Sequence, residues 1–182
     1  DGCTIAIVGD LKFGRTVHSL MKLLSLADNI TFKMFSPPSL ELPVEVEKYA
    51  RERGHRVIDC DAVPEALVGA DVVYATRVQR ERMTEEVLVT ANVSGNLLNK
   101  RLLAEADASD IIIMHPLPRD SRMDSFDLSS DVDDLPGLSI FRQTDNGVLI
   151  RMAIFLATLG CSADAVKATI KQRPWDATLR WN

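Results

Sequence analysis

Three arginines stand just beyond apolar runs, at places suited to recognising an anion. Arg15 follows the run Cys3 to Val8 through Gly9-Asp-Leu-Lys-Phe-Gly14, Arg77 follows Asp71 to Ala75 through Thr76, and Arg119 follows Ile111 to Met114 through His115-Pro-Leu-Pro118. A guanidinium grips a carboxylate or phosphate through two parallel N–H bonds, so two or three of them on one rim fit a small, multiply charged anion such as a dicarboxylate or a phosphate ester. A loop arginine that merely solvates the surface is equally ordinary. In Thr76-Arg-Val-Gln-Arg-Glu-Arg82 alternate residues can face a ligand, with Gln79 adding an uncharged donor and acceptor and Glu81 available to hold Arg77 or Arg82. The same stretch also reads as a solvated charge run. After Met114, Pro116 and Pro118 fix the backbone and leave carbonyls outward to accept from an amine or amide, while His115 reads more readily as a structural histidine than as an acid or base.

The stretch Gly9 to Leu20 sets the frame for Arg15. Gly9 and Gly14 permit a tight strand-to-helix turn, and Val17, Leu20, Leu23 and Leu24 recur at helical spacing beyond it. Arg15 and Thr16 therefore fall in a first helical turn, where open N–H groups and the helix dipole favour an anion. Gly9-x-x-x-x-Gly14-Arg-Thr also lies one substitution from the phosphate-cradling loop of nucleotide hydrolases. Arg15 in place of lysine, Asp10 inside the cradle, and a later strand ending in His115 rather than a magnesium-binding aspartate argue against that chemistry.

The elements that must position these residues alternate. Strands are expected over the run to Val8, Thr31–Phe35, Arg56–Ile58, Asp71–Ala75 and Ile111–Met114, with Ser139–Phe141 as a possible edge strand. Helices are expected after Gly14, from Pro43 to Gly54, over Ala62–Val68, from Leu97 to Ala106 and over Gly147–Gly160. This is a βαβ pattern, and it predicts an α/β fold: a doubly wound, mostly parallel, Rossmann-like sheet in three αβα layers. Ligands bind off the carboxyl ends of such strands, where the arginines stand.

Composition narrows the function classes. The 182 residues are 46% hydrophobic with no Pro/Gly/Ser-rich linker, which suits one domain over residues 1–182. A net charge of −5 with dispersed basic residues disfavours nucleic acid. Cys3, Cys60 and Cys161 are odd in number, far apart and without metal-ligand spacing, so no metal site is implied and a reducing compartment suits them. No segment is long and apolar enough for a bilayer span and no basic leader precedes an apolar core, so a soluble, cytoplasmic protein without membrane contact is expected. A chain that opens at Asp1 straight into a strand suggests a missing upstream part.

Four ordered motifs carry a resemblance. Gly9 to Leu20, Thr76 to Arg82, His115-Pro-Leu-Pro-Arg119 and Phe141-Arg-Gln-Thr-Asp-Asn-Gly147 with Arg151-Met-Ala resemble the second half of aspartate carbamoyltransferases, over nearly all of the chain to about Gly160. The resemblance implies the L-aspartate-binding domain of an enzyme of pyrimidine biosynthesis that joins carbamoyl phosphate to aspartate without metal or organic cofactor. Arg15 and Arg77 would each hold one aspartate carboxylate with Gln79 beside them. Leu117 and Pro118 would offer backbone contacts to the carbamoyl group of carbamoyl phosphate, and Thr16, Glu81, Arg82, His115, Pro116 and Arg119 would support the site or its closure. Ornithine carbamoyltransferases typically carry a cysteine in the loop matching His115–Pro118 and lack an Arg-Val-Gln equivalent, which disfavours ornithine.

The family's first half, with its phosphate-binding loop and catalytic histidine, has no counterpart here. Partners implied are therefore an N-terminal carbamoyl-phosphate domain and, by family analogy, a homotrimer. Residues 120–134 are longer and more acidic than the family's loop. Helix 147–160, capped by Asp145 or Asn146, is apolar nearly all round, so the missing half or an oligomeric neighbour is expected to cover Leu149, Met152, Phe155, Leu156 or Leu159. A non-catalytic amino-acid-binding or assembly module derived from that family is the alternative reading.

Overall fold

The computed structural model describes residues 2–91, 98–119, 127–162, 164, 165 and 167. Five strands form one sheet: β1 (Thr4–Gly9), β2 (Thr31–Phe35), β3 (Arg56–Asp59), β4 (Val72–Thr76) and β5 (Ile112–Met114). Every pairing is parallel, in the order β3-β2-β1-β4-β5, with Ile5 beside both Phe32 and Val72. The helices are α1 (Arg15–Leu24), α2 (Val44–Arg51), α3 (Val63–Leu67), α4 (Glu85–Ala91), α5 (Lys100–Glu105) and α6 (Ile140–Thr158).

Alternation along β1 decides the layers. Ile5 and Ile7 face one side and join Phe32 and Met34 of β2, Val17 and Met21 of α1, and Val46 and Ala50 of α2 in one core. Ala6 and Val8 face the other and join Val73 and Ala75 of β4, Ala66 and Leu67 of α3, and Leu103 of α5. A strand buried on both faces must be apolar at successive positions, which is why Ile5 to Val8 reads as an unbroken run. The expected α/β class, parallel sheet and three layers are all present.

Several boundaries differ from the sequence reading. Pro43 precedes α2 as its cap, with extended backbone (ψ 134°), instead of opening the helix. The end of the Thr76–Arg82 charge run forms a short 3-10 turn over Arg80–Arg82, and α4 follows it where no helix was expected. Ser139–Phe141 is no edge strand: a single bridge joins Ile113 to Leu138, and α6 begins at Ile140, so Asp145 and Asn146 lie inside that helix and do not cap it. Leu97 and residues 120–126, part of the acidic stretch, lie outside the described residues.

The chain clusters into two units, Asp1–Ile140 and Phe141–Asn182. The sheet and its flanking helices belong to the first. In the second, α6 ends in a Schellman pattern, in which the N–H of Cys161 donates to Leu156 and that of Gly160 to Ala157. Leu149, Ile150, Met152, Ile154 and Phe155 are exposed on it, and Leu156 is half-buried. Among the described residues no helix is long and apolar enough to cross a membrane.

Candidate functional site

The sheet changes its direction of growth between β1 and β4, the switch point off whose carboxyl ends ligands bind in folds of this kind. Gly9 pairs with Thr76 across this point, and its backbone is so close that an added Cβ would lie 2.2 Å from the Thr76 carbonyl oxygen, at a φ of 125°. Only glycine fits. Gly14, one turn later, precedes Arg15 as the helix cap, and a Cβ there would meet the Asp10 carbonyl at 2.3 Å. No side chain caps α1; its first N–H groups turn back on the chain instead, Arg15 to the Phe13 carbonyl at 2.9 Å and Val17 to that of Gly14 at 2.8 Å.

Asp10 ties the two loops together. Fully buried, it accepts the N–H of Phe13 at 2.8 Å on one carboxylate oxygen and that of Gln79 at 3.0 Å on the other. Burial pushes its carboxyl above the ordinary value of 3.8, and the N–H groups of Phe13, Gln79 and Lys12 pull the other way. A further bond joins the same loops: Arg82 Nη1 donates to the Phe13 carbonyl at 3.4 Å. Leu40, from the loop after β2, packs with Val78, Phe13, Met83 and Val87, and its carbonyl accepts the N–H of Leu11 at 3.0 Å.

On this frame Arg15 and Thr16 are exposed, Arg77 and Gln79 half-buried, and Val78 between them buried as a peg. Arg77 pairs with Glu81, which holds the guanidinium in one orientation. Among the described residues no ion pair is recorded for Arg15. The structure thus brings together Arg15, Thr16, Arg77, Gln79, Glu81 and Arg82 on the rim above β1 and β4.

The loop after β5 is built differently. His115 is buried; its Nδ1 accepts the N–H of Leu117 at 2.9 Å, and its Nε2 lies 2.9 Å from Asp127 Oδ2. Leu117 has a φ of 53° and a cis bond to Pro118. Among the described residues no hydrogen bond reaches the carbonyls of Leu117 and Pro118, which leaves both as acceptors. Arg119 makes a two-pronged pair with Asp133, at 2.6 and 3.1 Å. Its charge is spent on that carboxylate, which holds it above the ordinary arginine value. Arg119 is therefore braced by an acidic partner, as Arg77 is by Glu81.

Asp10, Leu40 and Asp127 escaped the sequence reading. Asp10 followed by an N–H three residues on is a turn signal that was legible; the partners of Leu40 and Asp127 depend on tertiary contacts. A separate groove of about 480 Å³, lined by Gly69, Asp71, Asp107 and Asp110 among others, opens at the amino ends of β4 and β5, away from this rim. Burial pushes the Cys3 and Cys60 thiols up, so neither is an activated nucleophile.

The family model described as "Aspartate/ornithine carbamoyltransferase, Asp/Orn binding domain" matches residues 1–158. The aspartate carbamoyltransferase catalytic subunit of Dichelobacter nodosus is 52% identical over 159 residues, 87% of this chain and 46% of that relative. Aspartate transcarbamoylase from Trypanosoma cruzi in complex with N-(phosphonacetyl)-L-aspartic acid superposes with a TM-score of 0.69 at 35% identity, covering 85% of this chain and 46% of that one. The same enzyme in complex with carbamoyl phosphate superposes at 0.70 and 34% identity, covering 85% of this chain and 49% of that one. This chain spans about half the length of the curated relatives it matches. It belongs to the aspartate/ornithine carbamoyltransferase family, on the aspartate carbamoyltransferase side, and corresponds to the Asp/Orn-binding domain.

Proposed function

We propose that this chain supplies the L-aspartate-binding half of an aspartate carbamoyltransferase, which converts carbamoyl phosphate and L-aspartate to N-carbamoyl-L-aspartate and phosphate in pyrimidine biosynthesis. Arg15 neutralises one aspartate carboxylate and Arg77 the other, while Gln79 fixes the amino acid between them. The observation that carries this reading is the Asp10 bridge, which sets the Arg15 loop against the Arg77–Gln79 loop at the switch point. Arg15 and Arg77 stand on the two loops that this bridge joins, and a pair of guanidiniums suits a dicarboxylate better than a single anion.

The unprotonated aspartate amine attacks the carbamoyl carbon, the bond from that carbon to the phosphate oxygen breaks, and phosphate leaves with the proton that the amine gives up. Carbonyls of Leu117 and Pro118 accept from the carbamoyl NH2 and orient it towards the amine. The substrate brings its own nucleophile, so this half works by positioning and charge neutralisation. That fits a loop after β5 whose buried histidine is engaged through both nitrogens. Thr16, Glu81, Arg82, His115, Pro116 and Arg119 hold the frame. An N-terminal carbamoyl-phosphate domain completes the site, in a cytoplasmic homotrimer as the family resemblance implies.

Calorimetry of the complete protein with succinate, in the presence of carbamoyl phosphate, tests the pairing. Loss of one charge-assisted carboxylate contact weakens binding by about 10–100-fold. Arg15→Ala and Arg77→Ala should each show that loss and raise aspartate KM to match. Succinate binding unchanged by either substitution would remove the dicarboxylate reading.

A further inference from the structure

The loop after β5 is fastened by a buried pair whose chemistry goes beyond filling space. A backbone N–H is always a donor, so the bond from Leu117 to His115 Nδ1 requires that nitrogen to be bare. The ring proton therefore sits on Nε2 and is donated to Asp127 Oδ2, while the other oxygen of Asp127 accepts the N–H of Leu128 at 2.9 Å. His115 is 1% exposed and Asp127 3%. Burying a carboxylate is costly, and a well-packed apolar pair fills the same volume without that cost. What the carboxylate adds is a fixed tautomer, because the partner of one ring nitrogen decides the role of the other.

We infer that Asp127 is a positioning residue of this site. It keeps the proton on Nε2, so that Nδ1 stays an acceptor for Leu117 and holds that residue at its φ of 53°, a conformation uncommon for a branched side chain. The carbonyls of Leu117 and Pro118 are thereby aimed. The inference rests on the proposed contact of those carbonyls with the carbamoyl group.

The wild-type complete protein, labelled with 15N-histidine, should show His115 as the neutral Nε2–H tautomer, its signals identified by their loss in His115→Gln. A ring protonated at Nδ1 overturns the inference without recourse to any functional variant. In Asp127→Asn, either orientation of the amide sets a donor against a donor, at His115 or at Leu128. The kcat/KM for carbamoyl phosphate should then fall about 10–100-fold, the scale of a small misplacement of reacting groups. His115→Asn and His115→Gln separate positioning from bulk. The asparagine oxygen reaches the place of Nδ1 and can accept from Leu117, whereas the glutamine amide reaches the place of Nε2 and cannot. His115→Asn should retain about tenfold more kcat/KM than His115→Gln. Equal losses, or a better His115→Gln, overturn the positioning role alone and leave the aspartate reading standing. The expected tautomer with unchanged carbamoyl phosphate kinetics in all variants overturns the role together with the carbamoyl contact of Leu117 and Pro118.

Discussion

Leu40→Ala should loosen aspartate binding out of proportion to its effect on the fold. Leu40 is fully buried in a small cluster with Val78, set apart from the cores on the two sheet faces. Its carbonyl braces the loop that carries Arg15, through Leu11, and its side chain braces the loop that carries Arg77 and Gln79, through Val78. Truncating a buried leucine costs about 2–5 kcal/mol, least where the surroundings can collapse into the gap. Among the described residues only Leu40 and Val78 are buried in this cluster, with Phe13, Met83 and Val87 half-exposed around them, so about 2–3 kcal/mol is expected. If about half of that is lost order in the rim loops, aspartate KM rises about tenfold, since 1.4 kcal/mol is a factor of ten. Leu103→Ala removes the same atoms from the core beneath β5 and serves as the control. Initial rates against aspartate with carbamoyl phosphate saturating, set beside urea unfolding of both variants, separate the effects. Similar stability losses with an unchanged aspartate KM in Leu40→Ala would refute the bracing role.

Asp10 gives a pH signature of unusual sign. A carboxyl raised on folding adds most stability below its unfolded value and loses it as pH climbs through the folded value. The unfolding free energy of wild type minus that of Asp10→Asn should therefore fall across a window opening at 3.8; a difference that grows with pH in urea titrations would mean that the three N–H donors outweigh burial. Gly9→Ala places a Cβ 2.2 Å from the Thr76 oxygen in a left-handed backbone, and a loss of about 2–4 kcal/mol is expected by chemical denaturation. A melt indistinguishable from wild type would show that β1 and β4 can part at no cost. Towards a thiol reagent followed by absorbance, exposed Cys161 should react first and buried Cys60 only on unfolding; rapid native labelling of Cys60 would contradict its burial.

Much of the architecture was legible because burial on both faces leaves an unmistakable mark. Ile5 to Val8 and Val72 to Ala75 are apolar at successive positions, and each flanking helix shows its stripe. Helix α4 was not, since Glu85 and Glu86 continue the charges of Arg80–Arg82; Thr84 followed by two acids was the start signal to read. The start of α6 was misread because Ser139-Ile-Phe141 looks β-prone in isolation, yet Ile140 is buried as the helix begins. The places of Arg15, Arg77 and Gln79 beyond the ends of β1 and β4 were legible from the apolar runs before them. The pairing of Arg119 with Asp133 was not legible, because the two are neighbours only in space. Asp127 was hidden for the same reason, being twelve residues from the histidine it orients.

The strand order also governs how this protein emerges from a ribosome. β1, β2 and β3 pair with close neighbours in the chain, Thr4 beside Thr31 and Thr31 beside Arg56, and can dock as they appear. β4 must travel back past both to lie against β1, with Ile5 beside Val72. Closing that loop costs roughly 0.8 kcal/mol more entropy than closing the one between β1 and β2. Until it closes, the apolar flank of β1 is open to other chains and Arg15 stands without its counterpart. The proposed anion recognition is then among the last properties a nascent chain acquires, and pulse-labelled hydrogen exchange should find the amides of β4 protected after those of β2.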